Sequence, residues 1–180
     1  MRMPGRLHIT WQDDRTLQIE ADAGTQTRLL YFDGRQPSGE PTWQGHSAAS
    51  WDIAGQQFEV NRNGVPIAPA AGGRGRGLGR GETPPTGGAL KVVTSHMRAG
   101  HLRKNGVPYS ENASVSEYFD RLTYPNGDVI LIVRTVVEDP MYLDQPFITS
   151  SNFKLEKDGA KWKPTPCTID PPVVRPAPSR

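Results

Sequence analysis

Apolar and polar residues alternate with period two along most of the chain, and helical periodicity is nearly absent. Leu7, Ile9 and Trp11 alternate with His8, Thr10 and Gln12, and Leu17, Ile19 and Ala21 repeat the pattern after the turn signal Asp13-Asp14. Residues 25–32 make a third strand closed by Asp33-Gly34. Residues 43–53 make a long fourth, with Trp43, Gly45, Ser47, Ala49 and Trp51 on one face, and Phe58 with Val60 a short fifth. Further strands are expected over 90–96, 113–124, 129–139 and 147–155. Such alternation gives each strand one face for a core and one for water, so the chain predicts an all-β fold. About nine short strands joined by turns favour an antiparallel up-and-down barrel of about eight to nine strands, because closure removes exposed edges.

Composition adds two breaks to this pattern. Glycine (19) and proline (17) make up a fifth of the 180 residues, which excludes a helical bundle or coiled coil. They concentrate in the low-complexity stretch 66–88, with Gly73-Arg74-Gly75-Arg76-Gly77 and Pro84-Pro85, and in the Pro-rich end 166–180. Neither stretch has the apolar content for a core. Residues 1–165 are therefore expected to form a single β-barrel domain with a flexible excursion at 66–88, followed by an extended tail. No run of about 18 apolar residues marks a membrane span, and residues 1–6 show no apolar stretch of a signal peptide.

Charge narrows the partners. The formal net charge is +2, and Arg74, Arg76 and Arg80 against Glu82 account for it, leaving a neutral body. A neutral body is poor ground for nucleic acid, which needs many phosphate contacts. The Gly-Arg tract resembles segments that touch single-stranded RNA, but it lacks interleaved aromatics and reads as a spacer. It also lacks the Lys-Ser/Thr of a phosphate-cradling loop. The lone cysteine, Cys167, sits in proline-rich surroundings and reads as a tail thiol rather than a nucleophile.

The most informative piece for chemistry is the hairpin 116–139, turning at Tyr124-Pro125-Asn126-Gly127-Asp128, where Asn-Gly is a strong hairpin signal. Val115, Glu117, Phe119 and Arg121 share one face of its first strand. On the second strand Val129, Leu131, Val133, Thr135 and Val137 share one face, and Arg134 and Glu138 the other. A three-residue loop places Glu117 over the aliphatic face, the setting in which a carboxyl group serves as general acid or base. A two- or four-residue loop places it diagonal to Arg134, in a structural ion-pair ladder favoured here. Glu138, before Asp139-Pro140, is the candidate second carboxylate, and otherwise simply ends the strand. His46 is the best general base among the four histidines. His96 and His101, five apart, would need a folded loop to share a metal, so no metal or cofactor is expected. Trp43, Trp51, Phe119, Tyr109 and Tyr142, with Arg121 and Arg134 to fix orientation, are the candidate ligand-binding residues in a barrel lumen.

Several stretches carry a resemblance. These are Trp43-Gln44-Gly45-His46-Ser47 with Trp51, Leu90-Lys91-Val92-Val93-Thr94, and the run from Arg103-Lys104-Asn105-Gly106 through Val107-Pro108-Tyr109-Ser110-Glu111-Asn112. Glu117-Tyr118-Phe119-Asp120-Arg121, Val137-Glu138-Asp139-Pro140 and Gln145-Pro146-Phe147-Ile148-Thr149-Ser150 belong with them. Together they resemble a large bacterial family of uncharacterised secreted proteins. The resemblance implies a lipocalin-like (calycin-type) barrel and a periplasmic or secreted location, without a reaction. It also implies an upstream cysteine that would pair with the counterpart of Cys167. Glu117 and the Glu138-Asp139-Pro140 corner fit the shared pattern better than His46 and His101 do.

Three functions follow in order of preference. The first is a barrel holding a small apolar or aromatic molecule in its lumen. The second is an enzyme (a lyase, isomerase or hydrolase) using Glu117 and Glu138, with His46 a distant third. The third is a structural protein that self-associates as a homo-oligomer through the Gly-Arg loop and the tail.

Overall fold

A computed structural model describes residues 5–53, 88–102 and 106–167. The expected short strand at 58–60, the Gly-Arg excursion up to residue 87 and the tail beyond residue 167 lie outside the described residues.

The described chain is all strand and turn: β1 (Leu7–Asp13), β2 (Thr16–Ala21), β3 (Ala23–Gly24), β4 (Gln26–Tyr31), β5 (His46–Ile53), β6 (Gly88–Ser95), β7 (Gly100–His101), β8 (Pro108–Tyr109), β9 (Ser114–Thr123), β10 (Val129–Glu138), β11 (Phe147–Lys154) and β12 (Thr165–Pro166). Eight of them form one strongly curled sheet in the order β1-β2-β4-β5-β6-β9-β10-β11, a half-barrel. Two small ribbons flank it, β7 with β8 and β3 with β12.

The up-and-down expectation needs one correction. β4 and β5 run parallel, through Leu30↔Ser47 and Tyr31↔Ala48, while every other ladder of the large sheet is antiparallel. A parallel neighbour needs a crossover, here 32–45, after which the start of β5 pairs with the end of β4 in the same direction. Gly34, Gly39 and Gly45 all take positive φ in this crossover. At Gly45 the reason is steric: a Cβ would lie 2.5 Å from the Ser95 carbonyl oxygen and 2.6 Å from Met97 Cγ, so β5 enters beside β6 only without a side chain. Among the described residues, β1 and β11 each pair on one side only and no ladder joins them.

The hairpin register is settled by its turn. Thr123 pairs with Val129, Tyr124 N–H donates to the Asp128 carbonyl at 2.8 Å, and Gly127 adopts φ 82°. That is a three-residue loop, Pro125-Asn126-Gly127, with its glycine in the left-handed region. Glu117 therefore stands opposite Thr135, over the aliphatic face of β10. The ladder to Arg134 is ruled out.

The core lines the concave face in two groups. Leu17, Ile19, Leu30, Leu90, Val92, Phe119 and Val133 form one, spread over five strands. Met97, Ala113, Val115 and Val137 form the other, toward the end where β5 begins and β6 ends. Each aliphatic side chain fully buried here contributes about 1.5–3 kcal/mol.

Candidate functional site

Between the two apolar groups runs a band of polar side chains. Ser47 of β5 faces Thr94 of β6, their hydroxyls 2.9 Å apart, and Glu117 of β9 lies between Val92 and Thr135. Arg28 of β4 completes the band. Its Nε donates to Ser47 Oγ at 3.0 Å, its Nη2 to Thr94 Oγ1 at 2.6 Å, and its Nη1 lies 2.5 Å from Glu117 Oε2. The Glu117 side chain is only 1% exposed, so the charge contact is made out of water. The approach is not aligned as a hydrogen bond, and neither carboxylate oxygen of Glu117 has a hydrogen-bond donor among the described residues.

The reach of this pair depends on the curl. β4 and β9 are three ladder steps apart, about 14 Å along a flat sheet at ordinary strand spacing. Arginine and glutamate side chains meet across that distance only because the sheet bends toward them, so the pair spans the chord of the half-barrel. Arg28 is absent from the sequence-based candidates. Its signal was present: in Thr27-Arg28-Leu29-Leu30, Arg28 has the same parity as the core residue Leu30 and so points inward.

A second buried carboxylate, Asp139, lies at the rim. It accepts from the Ser110 hydroxyl at 2.9 Å, the Met141 N–H at 2.8 Å and, by a very short contact, the Ser110 N–H. Burial pushes its carboxyl up, but these donors outweigh burial and hold it below the usual aspartate value. Asp139 thus pins the turn before β9 to the corner after β10. Those two segments, with the β7–β8 ribbon, form the walls of an open cleft of about 470 Å³. Tyr109, Ser110, Glu111, Met141, Tyr142 and His101 are among its lining residues. Burial also raises the Tyr109 phenol above its ordinary value.

The other candidates are dispersed. Glu138 is exposed and pairs with Ser114 on the convex face, opposite to Glu117, so the two carboxylates do not share a substrate position. His46 is also on that far face, stacked on Tyr31 at 5.1 Å and donating from Nε2 to the Arg35 carbonyl at 2.9 Å. Arg134 is exposed on the convex face and bonds Asp120 at 3.1 Å. Arg121 is exposed at the far end of β9, opposite Leu131. Phe119 is buried in the core. Trp43 is 61% exposed beside Arg98, and Trp51, 48% exposed, packs against Phe32 at 5.7 Å between ring centres. Only Tyr109 and Tyr142, of the seven ligand-binding candidates, meet in one place, and that place is the rim cleft. Ser110 and Met141 were missed, because only the folded corner brings them beside Asp139.

His96 donates from Nε2 to the Gly39 carbonyl at 2.8 Å, whereas His101 lines the cleft. Among the described residues no three His, Cys, Asp or Glu side chains gather as a metal group. Among the described residues no helix is long and apolar enough to cross a membrane. No family model, curated protein or solved structure matches the chain.

Proposed function

We propose that this is a small-molecule-binding protein built on a lipocalin-like barrel, of which the eight-stranded half-barrel is the described wall. The ligand sits in the rim cleft rather than in the lumen. The cleft itself supports this reading: about 470 Å³ is the size of a small-ligand pocket, and two tyrosines and a methionine offer apolar walls beside polar groups. The interior offers less. Leu30 and Val92 are fully buried, and Glu117 is engaged by Arg28, so the lumen at that level is packed with side chains. A catalytic role for Glu117 would need access that this packing denies.

The test is a ligand-observed NMR screen of small aromatic molecules against the full chain, repeated with Tyr142→Ala and Trp51→Ala. Both residues are half-exposed, so neither change should unfold the protein. Loss of binding in Tyr142→Ala alone supports the cleft. Loss only in Trp51→Ala, or no binding to the unmodified chain, overturns it.

A further inference from the structure

The rim cleft has an electrostatic asymmetry that points to a ligand class, an inference that rests on the binding reading above. Glu111 lines the cleft and is exposed, and no lysine or arginine is among its described lining residues. Beneath the walls lies Asp139, 2% exposed, whose named partners are the neutral N–H groups of Ser110 and Met141 and the Ser110 hydroxyl. No cation pairs with Asp139 among the described residues, whereas Asp22, Asp33 and Asp128 each have an arginine or lysine. Its negative charge is therefore distributed to the donors that shape the cleft but not neutralised there. One carboxylate and two phenol rings line this small volume, and a second carboxylate lies directly behind the lining residues Ser110 and Met141. That is the chemistry that attracts a positive group, since the field of the acids favours it and aromatic rings stabilise it further.

We propose that the cleft takes an organic cation, a small primary or quaternary amine on an aromatic or alkyl body. The ammonium group sits near Glu111 and above Asp139, and the body packs on Tyr109, Tyr142 and Met141. Glu111 is the specificity-determining residue, because it is the exposed acid that the ligand meets directly. Asp139 acts through the backbone it holds.

Three probes of one shape decide the matter: benzyltrimethylammonium, benzyl alcohol and benzoate. Each is titrated into the full chain by calorimetry, with the Met141 methyl resonance reporting occupancy of the cleft, at low and high salt. The cation should bind about two- to fivefold more tightly than the alcohol, with benzoate weakest. That preference should shrink in high salt and in Glu111→Gln, while the alcohol is unaffected by either. Equal binding of cation and alcohol overturns the charge inference but leaves the cleft standing. Tightest binding by benzoate also overturns it and shows that the cleft selects an anion. No shift of Met141 with any probe overturns both this inference and the cleft as a binding site.

Discussion

Glu117 and Asp139 are both buried acids beside this curled sheet, yet the fold holds them by opposite means. Glu117 sits mid-sheet among valines and phenylalanine and is matched by a single cation brought from three strands away. Asp139 sits at the rim and is matched by amide and hydroxyl donors from within a few residues of two corners. A guanidinium neutralises charge but here leaves hydrogen-bond acceptors unmet, whereas amide donors satisfy the acceptors and leave the charge unneutralised. The first arrangement is an internal strut across the chord of the half-barrel. The second builds a polarised corner at the surface, which is where a ligand can use it.

That contrast is most directly broken at Arg28. Arg28→Ala strands the Glu117 charge in the core and should cost about 3–5 kcal/mol in urea denaturation. The double variant Arg28→Met/Glu117→Leu removes both charges and should recover most of that loss. If the double variant stays as unstable as the single, the pair contributes through geometry rather than charge.

Asp139→Asn keeps the shape of the corner but turns an amide NH₂ toward N–H donors, at a cost of about 1–3 kcal/mol by the same measurement. The acid form sharpens the point through pH. Because the folded state holds this carboxyl below its usual value, its contribution is complete above about pH 4 and is lost as pH falls through the folded value. The stability gap between the unmodified chain and Asp139→Asn should be flat from pH 7 to 5 and narrow below about pH 4. A gap that stays constant in acid would show that the donors do not favour the ionised form.

The smallest effect is expected at the exposed pair Arg134–Asp120, 3.1 Å apart on the convex face. Arg134→Ala should cost no more than about 1 kcal/mol and fade in salt. An effect as large as that of Arg28 would remove the distinction between strut and surface pair.

Much of the wall was legible before any coordinates, because strand periodicity is local. Leu17 and Ile19, Leu90 and Val92, and Val133 with Val137 all face inward as their alternation requires. The binding candidates were less so. Tyr109 and Tyr142 were recognised as aromatic, but 33 residues of sequence separate them, and only the pairing of β9 with β10 sets their two corners together. Trp43 and Trp51 were expected on one strand face, but β5 begins only at His46 and Gly45 before it takes φ 65°, so Trp43 lies in the bend ahead of the strand, and neither ring lines the cleft.

What the chain determined by itself is the longer strands of the sheet and the parity that Glu117 shares with Val115 and Phe119, since both follow from steric and solvation preferences of neighbouring residues. The local turn chemistry of Pro125-Asn126-Gly127 narrows the hairpin to a few registers, and the fold selects the one that puts Glu117 over aliphatics. The partner of that carboxylate is a different matter. Arg28 is 89 residues away in sequence and reaches it only because a parallel crossover at 32–45 and the bend of the sheet shorten the path. Tertiary structure decided that contact, because a charge pairs with whatever the fold brings within a few ångströms, and sequence distance does not measure that.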